Sequence, residues 1–397
     1  MKKIIAFCVV YILITVQVFT LGFYESDIQG EKIDDIKEVA NSDLKINAKS
    51  AILFDRTCKR ILYEKNAYEK LPNASTTKIM TAIIAYENGN LLDTVTVSKN
   101  AAIVGGSSLK LRTGDKIILG ELVQGMLLCS GNDAAVAVAE HIGGTVENFC
   151  VMMNDKAKEI GAYNTNFVSP HGLDNENHYS SAYDLAIIAD YALKIPKFAE
   201  LAKQKVCNIK VNGYTRTVTT TNEMLSYYIG ADGVKTGYTG DAGRCLVTSA
   251  TRDGWQLISV VLGCGTKTNR TLDSAHLLDY GFSKFKFADL CENMKKSFRI
   301  IPQKAIRSEY IINISESFNY PIREEEKNYI KYVYEIDRNL RAPIAKGTNI
   351  GNISIYLKDD VVKTITLKTE EDIYRKSARQ YMLELLRKYK SNLKLEF

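Results

Sequence analysis

The sequence has no Gly-x-Ser-x-Gly pentapeptide, and so lacks the sharp strand-to-helix elbow on which α/β-hydrolases expose a serine. Histidine is scarce as well. His141, His171, His178 and His276 are the whole supply, none in a context that suggests a catalytic triad, and His171 and His178 read as structural. The eight cysteines contain no Cys-x-x-Cys, and no Cys or His pair has ligand spacing, which argues against a zinc site. Nothing else asks for a metal or a cofactor. A net charge of +6 over 397 residues is too mild to imply nucleic acid as a partner. Internal repeats and low-complexity tracts are absent.

What is present is apolar material enough for a sizeable core, 46% of residues, in a length that suits two or three domains. Met1-Lys2-Lys3 precedes an apolar run from Ile4 to Phe23, and Thr20-Leu21-Gly22 offers small residues for cleavage, so residues 1–22 read as a secretory signal. The alternative is a retained anchor, since the run is almost long enough to span a bilayer. Either way the rest of the chain is expected outside the cytoplasm. Cys8 falls in this run and leaves seven cysteines, an odd number read as buried free thiols.

Residues 23–45 are polar and acidic and read as a linker. Between residues 46 and 290 strands and helices mix. Ala51–Phe54 and Arg60–Tyr63 suggest a hairpin, and Ala231–Gly237, Cys245–Ala250 and Gln256–Gly263 suggest neighbouring strands. Apolar helices are expected after Ser75 and at Val123–Leu128 and Ala134–Ile142. Residues 291–370 carry short runs of period two, the pattern of a small all-β domain. In residues 371–397, Ile373, Tyr374, Ala378, Tyr381, Met382, Leu385, Leu386 and Tyr389 recur at helical spacing. Seven Lys or Arg and one acid, Glu384, lie between Ile373 and Lys394, so this is a basic amphipathic helix suited to an anionic membrane surface. Docking on the protein's own core is the bland alternative.

Three motifs carry the chemistry: Ser75-Thr76-Thr77-Lys78, Ser130-Gly131-Asn132 and Lys235-Thr236-Gly237. Ser-x-x-Lys alone means little, because it also starts at Ser42, Ser107, Ser283 and Ser391, and Ser-x-Asn recurs at Ser98 and Ser317. Lys-Thr-Gly occurs once. In this order, about 50 and then 100 residues apart, the three together point to a serine acyltransferase.

A serine hydroxyl is a weak nucleophile until a base takes its proton. Residues three apart share a helix face, so Lys78 can reach Ser75. Burial and a second cation, which Lys235 could supply, both lower a lysine's pKa and free its lone pair. The start of a helix adds a favourable dipole at Ser75. Ser130 and Asn132 lie between two apolar helices, with Gly131 expected to allow the bend. There Ser130 can relay a proton to a leaving amine while Asn132 holds Lys78 and a substrate amide. Lys235-Thr236-Gly237 is expected to end an edge strand, which can pair with an extended peptide. Lys235 and Thr236 would bind a free carboxylate, and the amides of Ser75 and Tyr238 could form an oxyanion hole.

At these residues the chain resembles the penicillin-binding D-alanyl-D-alanine carboxypeptidases, the low-molecular-weight serine peptidases of cell-wall maturation. Asn73–Thr81 resembles the family's nucleophile segment, Leu128–Ala135 its second motif, Ser169-Pro170-His171-Gly172-Leu173 its Pro-His-Gly-Leu turn, and Asp232–Thr239 its third motif. Arg270 stands where the family has an arginine near the substrate carboxylate, and Leu340–Gly347 resembles a signature of its carboxy-terminal β-domain. The departures, Cys58 and Cys245, touch no proposed role.

The resemblance implies an α+β, penicillin-recognising catalytic domain in which a helical cluster lies against an antiparallel sheet, followed by a small all-β domain and a terminal amphipathic helix that anchors the protein. It also implies the reaction. The terminal D-alanine would leave a peptidoglycan stem peptide ending in D-Ala-D-Ala through an acyl-enzyme on Ser75, with β-lactams as covalent inhibitors, at the outer face of the cell membrane or in the wall. Three rivals stand beside it: a D,D-endopeptidase cutting cross-links, a β-lactamase and an inactive wall-binding protein. For the β-lactamase, the second motif would be Ser-Asp-Asn with a glutamate positioning water, and Glu159 and Glu176 lie in unconvincing contexts.

Overall fold

The computed structural model describes residues 44–393, so the expected signal (1–22) lies outside the described residues, as does the linker (23–45) except for Leu44 and Lys45. By contacts the described chain divides at Lys286/Phe287 into two units. In the first, five antiparallel strands form a sheet whose spatial order is Ile61–Lys65, Ser50–Asp55, Trp255–Cys264, Gly243–Arg252, Ala231–Thr239. The central strands are Val- and Leu-rich and buried on both faces, as a sheet covered on both sides requires. Ala231–Thr239 is the edge, with one side of its backbone unpaired within the sheet.

Both faces of this sheet are covered. On one, Ile52, Phe54, Val247 and Val260 pack into a cluster with the helices Lys78–Asn88, Leu119–Leu128, Asn132–Gly143 and Ala182–Ala192. On the other, Leu53, Leu246 and Val261 meet Leu277 and Leu278 of the helix Lys267–Lys284. Lys78–Asn88 runs through the first cluster with eight consecutive buried residues, which explains its lack of a polar face. A smaller four-stranded sheet joins Thr94–Thr96, Lys116–Ile118, Val206–Val211 and Tyr214–Thr219. This is the expected α+β arrangement of helical cluster against antiparallel sheet.

Among the described residues the second unit is all-β apart from one six-residue 3-10 turn and its terminal helix. Ile330–Ile336, Asn349–Leu357 and Asp360–Lys368 form an antiparallel meander, and Ser297–Ile300 pairs with Tyr310–Asn313. Ile353, Ile355 and Leu357 are buried and the residues between them are not, the period-two alternation of a half-buried sheet. Ile373 does not continue the helical stripe expected of it: it is buried and bridges Ile344 as extended chain. The helix begins at Ala378 and runs to Leu393.

Candidate active site

Ser75 lies in a 3-10 turn, Ala74–Thr77, immediately before the helix that opens at Lys78. The expectation of a serine on the α-helix itself is corrected by one turn, and the cause is local. The Asn73 side chain donates to the Thr76 and Thr77 hydroxyls at 3.1 and 3.0 Å, and those hydroxyls donate to the carbonyls of Asn73 and Ala74. Such side-chain bonds compete with the regular α-helical ladder. Ala74 is left-handed, with φ +49°. Gly172 approaches so closely that a Cβ there would collide with the Ala74 carbonyl oxygen.

Lys78 is fully buried, and its Nζ lies 2.8 Å from Ser75 Oγ, 2.7 Å from Asn132 Oδ1 and 2.8 Å from the His171 carbonyl oxygen. Two of these neighbours can only accept. A neutral amine has two hydrogens and one lone pair, so donation to Asn132 and His171 leaves the lone pair facing the Ser75 hydroxyl. Burial, and then the nearby Lys235, hold the Lys78 pKa well below its ordinary value. The expected pairing of Ser75 and Lys78 is therefore present, in a form suited to proton abstraction.

His171 thus contributes its backbone and not its ring. Its Nδ1 accepts from Leu173 N–H, and burial, then Lys78, then His178 push its pKa down to about 3. In His178, Nδ1 accepts from Val168 N–H and Nε2 faces the Thr77 hydroxyl at 2.8 Å, so the neutral ring carries its proton on Nε2. Both histidines are structural supports of the serine turn.

Asn132 fixes the second side of the cleft. Its Nδ2 donates to Gly105 O at 2.7 Å, which sets the amide so that Oδ1 faces Lys78. Next to it, buried Asp133 accepts from Ser108 Oγ and from the amides of Leu109 and Leu111, tying the 105–111 loop to the helix start. An acid in a first helical turn is also favoured by the helix dipole. The bend expected at Gly131 occurs one residue earlier, for Ser130 has φ +67° while Gly131 has φ −57°. Gly131 matters for space, since a Cβ there would lie 2.9 Å from Asp133 Oδ1. Left-handed Ser130 and Ala74 each store on the order of 1–3 kcal/mol of strain, held by the surrounding fold.

The edge strand supplies the third side. Lys235 is buried, its Nζ bonded to Thr236 O at 3.0 Å, and burial pushes its pKa down to about 7. Gly237 lets the strand approach the nucleophile, for a Cβ would stand 3.2 Å from Ser75 N. The Thr236 and Thr221 hydroxyls are 2.6 Å apart, and Thr221 is a neighbour the sequence did not announce. Arg270 Nη2 donates to Glu223 Oε1 at 2.5 Å, so Arg270 enters the site already paired. Glu223 was also unannounced. Ser75, Ser130, Thr236, Tyr238, Arg244 and Arg270 line one cleft of about 500 Å³.

The structure therefore brings together the expected residues around one opening, with Lys78, Asn132 and Lys235 in its wall. Glu159 does not belong to it: it is exposed on the helix Val146–Glu159 and pairs with Lys156. Glu176 is exposed as well. Among the described residues all seven cysteines are free.

Comparison with known proteins agrees. The D-alanyl-D-alanine carboxypeptidase family pattern matches residues 37–266, and that of the penicillin-binding protein 5 C-terminal domain matches residues 304–375. D-alanyl-D-alanine carboxypeptidase DacF of Bacillus subtilis is 35% identical over 339 residues, 84% of this chain and 87% of that relative. Penicillin-binding protein 5 of Haemophilus influenzae superposes with a TM-score of 0.70 at 32% identity, over 83% of this chain and 98% of that one. The Streptomyces K15 DD-transpeptidase gives 0.58 at 35% identity, over 60% of this chain and 98% of that one. With both patterns and a relative matched over most of its length in agreement with the cleft geometry, this chain belongs to the D-alanyl-D-alanine carboxypeptidase family of serine peptidases.

Proposed function

We propose that this serine D-Ala-D-Ala carboxypeptidase works through Ser75 and Lys78 on peptidoglycan pentapeptide. The observation that carries the assignment is the buried Lys78 amine, in contact with Ser75 Oγ and two obligate acceptors. Ser75 Oγ attacks the carbonyl of the penultimate D-alanine as Lys78 takes its proton. The Ser75 and Tyr238 amides hold the oxyanion, at roughly 3 kcal/mol per donor. The C–N bond then breaks, and the proton passes from Lys78 by way of the Ser130 hydroxyl to the departing amine. Water, deprotonated by Lys78, next cleaves the ester and restores Ser75. Asn132 positions Lys78 and the substrate amide. Lys235, Thr236 and Arg270 form the end of the cleft that takes the terminal carboxylate, and Gly237 and Tyr238 pair with the peptide.

Purified protein treated with penicillin should gain a long-lived adduct on Ser75 by mass spectrometry, and should release D-alanine from pentapeptide faster than it cuts cross-linked dimer. Rapid loss of the adduct would favour a β-lactamase, and faster cutting of dimer an endopeptidase. The apolar run Ile4–Phe23 motivates the further proposal that the enzyme is exported, in which case an impermeant labelled penicillin should mark it on intact cells.

The membrane is proposed as a further partner. Met382, Leu383, Leu385, Leu386 and Tyr389 are exposed on the Ala378–Leu393 helix beside Arg379, Arg387, Lys388 and Lys390. Among the described residues no helix is long and apolar enough to cross a membrane, so attachment would be to the surface. Replacing Leu385 and Leu386 by Glu should cut co-sedimentation with anionic phosphatidylglycerol vesicles to near background. Undiminished sedimentation would refute the anchor.

A further inference from the structure

Away from the cleft, the second unit gathers positive charge that no acid answers. Segment 303–306 runs between two others: Gln303 bridges Arg341 in one, and Ala305 bridges Arg375 in the other. Main-chain bonds hold the three together, Gln303 N–H to Leu340 O at 2.7 Å and Lys376 N–H to Lys304 O at 2.8 Å. Lys304 sits between the two arginines in a left-handed conformation, with φ +59°. The crowding shows in the lysine, whose pKa is held below its ordinary value by Arg341 first, then by desolvation and Arg375.

The acids close by are already engaged. Glu371 pairs with Arg307, Glu384 pairs with Lys376 at 2.7 Å, and Asp372 accepts from the Lys346 amide at 2.8 Å. Lys304, Arg341 and Arg375 have no carboxylate partner among the described residues. Three cations held together against their own repulsion, without a counter-ion, suit an anionic surface. Next to them the Ile306 amide donates to Tyr374 O at 2.9 Å, and these two residues are 44% and 62% exposed. Exposed apolar side chains beside cations are the composition of a lipid headgroup boundary. The terminal helix starts from the same place. Ser377 and Gln380 cap it reciprocally, Ser377 N–H donating to Gln380 Oε1 at 2.8 Å and Gln380 N–H to Ser377 Oγ at 3.3 Å. The bond of Lys376 to Glu384 ties the first turns of that helix back to the segment carrying Arg375.

We propose that Lys304, Arg341 and Arg375 form a second membrane contact, docking the β-domain itself onto anionic phospholipid headgroups. The inference rests on the membrane reading above and deepens it. A headgroup phosphodiester offers oxygens that the two guanidinium forks match, and Lys304 adds a compact point charge. Once the helix is on the bilayer, binding by the cations is intramolecular, so the two contacts reinforce each other. Held at both places, the second unit stands on the surface in one orientation instead of swinging from a tether.

The test is co-sedimentation of the purified enzyme with vesicles of phosphatidylglycerol and, for comparison, of phosphatidylcholine. Each cation near an anionic surface is worth about fivefold in partitioning. Combining Lys304→Gln, Arg341→Gln and Arg375→Gln should therefore weaken phosphatidylglycerol binding on the order of a hundredfold, with little change on phosphatidylcholine. Arg341→Lys with Arg375→Lys keeps the charge and should bind phosphatidylglycerol within about threefold of native. A thermal melt near that of the native protein shows that the variants are folded. A triple variant that sediments with phosphatidylglycerol as the native enzyme does would overturn the proposal. So would native enzyme that binds soluble poly(glycerol phosphate) more tightly than the vesicles, since the cations would then read a wall polymer. Native enzyme that ignores phosphatidylglycerol would overturn the membrane reading and this contact together. Loss in the triple variant, with none when Leu385 and Leu386 are replaced by Glu, would support the contact and overturn the helix anchor alone.

Discussion

Ser75→Ala is expected to abolish release of terminal D-alanine, with kcat falling at least about 10⁴-fold, the scale seen when a serine nucleophile is deleted. Covalent labelling by penicillin should vanish with it. The structural cost should be small, because the substitution removes only Oγ, whose contacts are with Lys78 and, at 3.5 Å, the His171 carbonyl. The measurement pairs D-alanine release with intact-protein mass after penicillin treatment, and a thermal melt near that of the native protein excludes misfolding. Persistence of an adduct in Ser75→Ala, or activity within about a hundredfold of native, would move the nucleophile elsewhere. Ser130 would then be the first candidate, since it lines the same cleft.

Much of this site is readable in the sequence because its logic is local or ordinal. Ser75 and Lys78 are three residues apart, and the two helices that bracket Ser130 are apolar enough to be read at Val123–Leu128 and Ala134–Ile142, inside the observed Leu119–Leu128 and Asn132–Gly143. The β-strands of the second unit are legible for a similar reason, their alternation being a direct image of a sheet buried on one face. What is not legible is made by long-range contact or by the main chain. The third partner of Lys78 is the carbonyl of His171, and a carbonyl carries no residue signature. Glu223 meets Arg270 across 47 positions, with no pattern to connect them.

The 3-10 start of the Ser75 segment follows from the Asn73 side chain outbidding the α-helical ladder, a competition that apolar periodicity does not register. The small four-stranded sheet left one trace. Asn212-Gly213, both at positive φ, is the turn chemistry of a tight hairpin, and it joins Val206–Val211 to Tyr214–Thr219. Ile373 went wrong in the opposite direction, for its spacing fits a helix while its burial is earned by bridging to Ile344.

Lys78→Met is expected to slow acylation by about 10³–10⁴-fold, the upper range of what a positioned base contributes. Methionine fills much of the same volume but offers nothing to accept the Ser75 proton, and it leaves Asn132 Oδ1 and the His171 carbonyl without their donor. The pH dependence separates loss of a base from loss of packing. A base must be deprotonated to act, so the native rate should rise with pH through a Lys78 pKa held well below that of a free lysine by burial and the nearby Lys235. The charge on Lys235 works against protonation of Lys78, so Lys235→Met should raise the Lys78 pKa and move the rising limb to higher pH. On the other side, Lys235 loses its own proton as pH climbs through about 7, so KM for a substrate with a free carboxylate should rise there while kcat holds. Steady-state kinetics over pH 4 to 10 on native, Lys78→Met and Lys235→Met enzymes would show all three effects. A Lys78→Met variant within about tenfold of native, or a rising limb that does not move in Lys235→Met, would mean that some other group takes the proton.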